Sequence, residues 1–525
     1  MAALSTKFRL RFVDLDEMEP SEKAIAALSP EIVTQLQVFP VEDRADRLVV
    51  AISKPADQGA ISDALRFHAN RRVELVVATS EQIATAIAKY YGRFESQMSG
   101  IIGELTLDAV AVEEEEQTAE DSRIGESDSE IIRLVNKLLL EAYGKGASDI
   151  HIEPGHERSP LQVRYRIDGI CCQVHQIPSI YKRAVISRIK IMSNLDISER
   201  RKPQSGKILI HYKRQKMEFR VEITPTVGGQ EDAVLRILAK SKPLPLEQMG
   251  FSPSTLESFR QILSKPYGII LCVGPTGSGK TTTLHSALGH INTPERKIWT
   301  AEDPVEITQP GLRQVQVNPR IGFTFQEAFR SFLRADPDVV MIGEMRDFET
   351  AKIAIEASLT GHLVFSTLHT NSAPETVVRL IEMGLDPLSF AEALLGILAQ
   401  RLGRKLCDQC KQPYHPDQSE YNVLVEGYLP EWFKDHQMPA YTDDLMLNKK
   451  IGCSKCGNNG YRGRVGIHEL LLGTERVKTV IKKKGDAEKL KAAAMQDGMR
   501  TLKMDGIYKT FKGILEFEQV LKVCL

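Results

Sequence analysis

Residues Gly274-Pro275-Thr276-Gly277-Ser278-Gly279-Lys280-Thr281 constrain the fold more than any other stretch of this chain. The pattern G-x-x-x-x-G-K-[ST] works only where a buried strand runs through a glycine-rich turn into a helix. The flanks supply that context, with the apolar run GIILCV at 268–273 reading as a strand and 281–288 continuing as a helix. In such a loop the backbone N–H groups curl round phosphates. Lys280 adds charge toward the β- and γ-phosphates, Thr281 offers a hydroxyl to Mg²⁺, and the helix N-terminus adds its dipole. The reading is an ATP site in an α/β domain.

A chain of 525 residues exceeds one compact core, so several domains are expected. Residues 1–95 alternate short β-rich runs (48–52, 73–77) with helical stretches (81–91) and read as a small α/β domain. Residues 96–126, with the run Glu113-Glu-Glu-Glu116, read as an acidic flexible linker. A helix-like start at 127–142 opens a third domain, 127–241, in which strands near 148–153, 161–167, 208–212, 217–223 and 233–238 surround a helix near 180–192. After the prolines at 243 and 245, residues 242–525 alternate strand and helix as a doubly wound parallel sheet does. A net charge of −1 gives no overall basic field, so no direct nucleic-acid partner is expected. No run of 18 apolar residues and no signal-like start are found, and a cytoplasmic protein reaching the membrane through partners is expected.

Three further elements carry chemistry. Asp338-Val-Val-Met-Ile-Gly-Glu344 is a strand flanked by acids, a Walker-B-like element whose carboxylates are expected at the carboxyl edge of the sheet. Glu344 is the candidate for orienting the attacking water. In Thr300-Ala-Glu302-Asp303-Pro-Val-Glu306 three carboxylates lie within five residues, and Mg²⁺ held by Glu302 and Asp303 would relieve their repulsion. The segment Thr360-Gly-His362-Leu-Val-Phe-Ser-Thr-Leu-His369-Thr370 reads as the next strand, able to deliver His369 as a γ-phosphate sensor.

Cys407-x-x-Cys410 and Cys453-x-x-Cys456, separated by 42 residues, have the spacing of paired zinc knuckles. Four thiolates suit a closed tetrahedral Zn²⁺ site, placed within residues 400–470.

The four boxes, in this order, resemble the secretion ATPase superfamily, in its branch of type II secretion and type IV pilus extension ATPases. Long insertions between the cysteine pairs, and the segment Gly460-Tyr-Arg-Gly463-Arg464-Val-Gly466-Ile-His-Glu469, resemble extension or export motors and not retraction motors. The resemblance implies a homo-hexamer in which a PAS-like domain (127–241) and a RecA-like motor domain (242–525) hold ATP between them. It also implies an inner-membrane platform protein and an inner-membrane docking protein as partners. Arg220 and Arg236 stand in strand-like segments that look like the family's arginine-bearing strands and would neutralise transition-state charge. Lys207 stands where the family often has a further arginine. The amino-terminal domain resembles the later half of the family's docking domain, without the arginine-leucine-glycine opening of the cyclic-di-GMP-binding version. Competing readings are a nucleotide-gated assembly scaffold and a conjugation or DNA-uptake motor built on the same core.

Overall fold

The computed structural model describes residues 10–91 (apart from 17, 26, 29, 45, 70 and 71), 110–112, 126–238 (apart from 157–158 and 213–214) and 243–524. Its contacts divide the chain into two compact units, Met1–Leu238 and Ala239–Leu525.

The first unit holds two sheets. In the smaller, Val38–Asp43 runs antiparallel to Arg47–Ile52, which pairs in parallel with Arg72–Val77. Helix Ser80–Tyr90 covers it and starts on a reciprocal cap: Gln82 N–H donates to Thr79 Oγ1 (3.1 Å) and Thr79 N–H to Gln82 Oε1 (3.4 Å). The larger sheet has seven strands, in the order Val110–Val112, Gln204–Tyr212, Gln215–Thr226, Gln230–Ile237, Asp149–Pro154, Leu161–Ile167 and Ile170–Ile177, all antiparallel. Strict alternation in Leu161–Ile167 sends Leu161, Val163 and Tyr165 into a core shared with helices Glu126–Gly144 and Lys182–Met192. Of the stretch read as an acidic linker, Val110–Val112 forms the edge strand on Gln204–Tyr212. The run Glu113-Glu-Glu-Glu116 lies outside the described residues.

The second unit is built on β1 (Gly268–Val273), β2 (Ile298–Glu302), β3 (Leu312–Gln316), β4 (Val339–Ile342), β5 (Leu363–Leu368), β6 (Leu394–Leu406) and β7 (Tyr461–Leu472). Their order is β3-β2-β4-β5-β1-β6-β7, parallel throughout except for β7, which runs antiparallel to β6. Both faces are covered, which is why β1 and β4 read as unbroken apolar runs. Ile269, Leu271 and Val273 point into one core, and Ile270 and Cys272 into the other. Because every strand from β1 to β6 runs the same way, all their carboxyl ends open on one edge of the sheet. There the turn after β1, the ends of β2 and β4, and the exit of β5 stand side by side.

Candidate active site

The turn after β1 is a phosphate cradle. Gly274, Gly277 and Gly279 have φ of 151°, 78° and 88°, and Gly279 leads directly into helix α1 (Lys280–Ile291). Space demands glycine as well as φ does. A Cβ on Gly274 would stand 2.6 Å from Gln400 O, and one on Gly279 would stand 2.8 Å from Gln400 Nε2. Pro275, Thr276 and Gly277 are exposed while Ser278 and Lys280 are buried, so the loop's outer rim faces solvent. Lys280 Nζ donates to Gly274 O (2.7 Å) and Pro275 O (3.1 Å), a folded-back position over the cradle. Burial and Arg401 hold its pKa below the ordinary lysine value. Among the described residues it has no ion-pair partner, and a phosphate would supply the counter-charge. Thr281 sits partly buried in the first turn of α1.

Gln400 on β6, absent from the sequence reading, pins this loop. Fully buried, it donates from Nε2 to Ser278 O (2.7 Å) and accepts at Oε1 from Thr283 Oγ1 (2.6 Å). Its signal was present: a lone amide inside the apolar run LLGILAQRL must find partners or cost free energy. Its neighbour Arg401 donates to Asn371 O (3.0 Å), tying the P-loop side of β6 to the loop after β5.

Glu344 lies two residues beyond β4 at the carboxyl edge, mostly buried. One oxygen is ion-paired with Arg346 Nε and the other stands 3.7 Å from His369 Nε2. His369 leaves β5 at the same edge and is half exposed. Two backbone-directed hydroxyls lock β5 to the end of β4: Ser366 Oγ donates to Ile342 O (2.8 Å) and Thr367 Oγ1 to Gly343 O (2.6 Å). Partial burial, Lys280 and Arg346 hold His369 below the usual imidazole pKa, and it stands neutral at pH 7. Arg346 is another residue the sequence reading passed over, although GEMRD displays it two places after the glutamate.

The two acids of the Walker-B-like strand part company. Asp338 precedes β4, at the amino edge, and its Oδ2 accepts from Lys297 N–H (2.7 Å). The expectation that both carboxylates emerge at the carboxyl edge is therefore corrected: the five residues 339–343 separate them, and only Glu344 reaches it. His362 likewise lies at the amino edge, before β5, with Nδ1 3.0 Å from Ala357 O.

Glu302 is the last residue of β2 and is buried. Its Oε1 accepts from Thr300 Oγ1 (2.6 Å) and Gln314 Nε2 (3.0 Å), while Oε2 faces His285 Nε2 (3.1 Å). Burial favours the neutral acid, but these donors together hold its pKa below the ordinary glutamate value. Asp303 is exposed, joined to Pro304 by a cis peptide bond, and has no ion-pair partner among the described residues.

In the first unit, strand register sets Lys207 opposite Arg220, Arg220 opposite Arg236, and Arg236 opposite Asp149. Directly opposed residues share a face, so the three cations form one row across the sheet. Arg236 Nε donates to buried Asp149 Oδ1 (2.9 Å), while more than half of its side chain stays exposed. Lys207 pairs with Glu218 at 3.0 Å, and Arg220 is exposed.

The four cysteines of the tandem motif converge. Pairing of β6 with β7 brings Leu406 opposite Tyr461, setting Cys407 beside the Cys453–Cys456 turn. The ribbon of Gln412–Tyr414 with Leu447–Lys449 closes the insertion behind them. All four sulfurs lie within 4.8 Å of one another. The separations Cys407–Cys453 of 4.0 Å, Cys410–Cys456 of 3.8 Å and Cys453–Cys456 of 3.8 Å match the edge of about 3.8 Å in a tetrahedron with Zn–S bonds of about 2.3 Å. Cys453 N–H (3.2 Å) and Gly460 N–H (3.3 Å) both donate to Cys456 Sγ, stabilising a thiolate there.

A family model described as "Type II/IV secretion system protein" matches residues 125–522. The chain belongs to that family. A second model, the MshEN domain, matches residues 8–97. Among relatives of this secretion family, the type IV pilus assembly ATPase PilB of Myxococcus xanthus is 40% identical over 99% of this chain and 89% of its own length. The type II secretion system ATPase E of Vibrio cholerae is 41% identical over 87% of this chain and 88% of its own. Of solved structures, the ATPase DotB of Legionella pneumophila aligns with a TM-score of 0.55 at 21% identity, over 77% of this chain and 97% of that one, a likeness of α/β fold. Among the described residues no helix is long and apolar enough to cross a membrane.

Proposed function

We propose that this secretion-family chain is a hexameric motor that hydrolyses ATP to drive protein secretion or pilus assembly through an inner-membrane platform protein. The observation that carries the reading is the meeting of the Gly274–Thr281 cradle with Glu344 and His369 at one sheet edge, reinforced by the activities in the names of its relatives. Glu344 orients and deprotonates the attacking water, and neutral His369 senses the γ-phosphate through an N–H. Lys280 and the loop amides hold the phosphates. Thr281 and Asp303 would hold Mg²⁺ through their oxygens, and the ion would supply positive charge against the phosphates. Glu302, with its oxygens engaged by three donors, supports Asp303 from behind. Arg220 and Arg236 supply cations to the transition state. On this reading residues 127–241 are the PAS-like domain, residues 242–525 are RecA-like, and the amino-terminal domain docks the motor on an inner-membrane partner.

Phosphate release measured across protein concentrations, with sedimentation alongside, tests the assembly. Specific activity should rise with concentration as a hexamer forms. Flat specific activity from a monomer would contradict the motor's oligomeric site.

The cysteine cluster is proposed to hold structural Zn²⁺. Purified chain should carry one zinc per subunit by atomic absorption, and Cys407→Ser should lose it and unfold the 411–452 insertion at a lower temperature than the rest. Metal-free protein with an unchanged melting profile would contradict this.

A further inference from the structure

The P-loop helix carries a polar contact that the nucleotide chemistry does not use. His285 lies on α1, entirely buried, and is one helical turn beyond Thr281. Residues four apart share a helix face, so the face that offers Thr281 to the phosphate site also presents His285 to the sheet beneath. There its Nε2 meets Glu302 Oε2 at 3.1 Å. On the ring's other side, the amide of buried Gln309 lies 2.8 Å from His285 Nδ1 and donates to His285 O at 2.9 Å. An amide nitrogen only donates, so Nδ1 must accept and the single ring proton sits on Nε2, directed at the carboxylate. Gln309 thus fixes the tautomer, His285 becomes a committed donor, and Glu302, at the end of β2, is held to α1.

Resting on the ATP site described above, we propose that His285 and Gln309 are positioning residues that tether the P-loop helix to the end of β2, setting Asp303 against Thr281 for Mg²⁺-nucleotide. Asp303 follows Glu302 directly, and Thr281 sits one turn before His285, so the hydrogen bond joins the two segments that bear the proposed oxygen donors. Neither positioning residue touches nucleotide. Their effect falls on the step that needs both segments in register, which is the gain in nucleotide affinity that Mg²⁺ brings.

The test is ADP affinity of the full chain, by titration with a fluorescent ADP, with Mg²⁺ and with excess chelator. It reads the tether whether or not the chain hydrolyses ATP; a wild-type chain that binds Mg-ADP but does not turn over ATP would sink the motor reading alone. His285→Phe keeps the ring's bulk and removes both hydrogen bonds. It should leave Mg²⁺-free ADP affinity within about twofold and reduce the Mg²⁺-dependent gain roughly tenfold, the scale of losing a partner behind a metal ligand. His285→Gln, whose amide nitrogen reaches the place of Nε2, should restore most of the gain. An unchanged Mg²⁺ gain in a folded His285→Phe chain would overturn the proposal, and so would a His285→Gln chain as impaired as His285→Phe. If His285→Phe fails to fold, Gln309→Leu, which frees Nδ1 and the tautomer, should lower the Mg²⁺ gain in the same direction, and no change there would overturn it.

Discussion

Glu344→Gln will bind ATP and scarcely cleave it. Glutamine preserves the side chain's volume, and its carbonyl oxygen can still accept from Arg346, so the end of β4 stays in place. What disappears is the carboxylate's ability to take a proton from water. Loss of a positioned general base costs about 10²–10⁴-fold in rate, or about 3–5 kcal/mol of barrier. The ATP dissociation constant should move little, because Lys280 and the loop amides are untouched. Single-turnover kinetics together with equilibrium binding separate the two effects. A kcat within a few-fold of the parent would remove Glu344 from the mechanism.

The second large effect is expected in the cation row. Arginines that neutralise developing phosphoryl charge contribute about 10³–10⁵ in rate, and Arg220→Ala and Arg236→Ala should each lower kcat steeply with small changes in ATP affinity. The two differ in a way the geometry makes testable. Arg236 is oriented through Nε by Asp149, whereas Arg220 has no such partner among the described residues. Asp149→Asn should therefore mimic a partial loss of Arg236 and leave Arg220 unaffected. Lysine should replace Arg220 better than Arg236, since only Arg236 is oriented through Nε, a donor that lysine lacks. If both alanine variants turn over ATP at the parental rate, the row is an ordinary surface ladder.

How much of this was legible in the sequence follows from the range of the interactions involved. The Gly274–Thr281 loop, the strand ahead of it and the helix after it are local, and glycine at 274, 277 and 279 is demanded by backbone conformation a few residues wide. Cys407, Cys410, Cys453 and Cys456 were readable for a similar reason: spacing within each pair is local, and their chemistry leaves few alternatives. Glu302 was harder. Three neighbouring acids read as a cluster in which Glu302 and Asp303 share Mg²⁺, yet β2 continues through Glu302 and turns its side chain inward to His285, Thr300 and Gln314. A carboxylate's burial depends on donors brought from residues 285 and 314, and no period in the sequence announces them. Asp338 was misplaced because a strand flanked by acids looks the same from either end, while parallel topology sends only its carboxyl end to the site. Gln400 joins residues 122 positions apart through Ser278. Its polarity inside an apolar strand was visible, but its partner was not. Val110–Val112 escaped because three residues are too few for alternation to register against an acidic background.

The central claim is that the edge formed by Gly274–Thr281, Glu344 and His369 cleaves ATP. The most direct test pre-binds γ-labelled ATP to the full chain without Mg²⁺, adds Mg²⁺ with excess unlabelled ATP, and follows release of labelled phosphate, beside Glu344→Gln. The account predicts conversion of the bound nucleotide to ADP and phosphate by the parent chain, and intact bound ATP in the variant. Intact ATP in both, with binding demonstrated, would contradict hydrolysis at this site and leave a nucleotide-gated scaffold in its place.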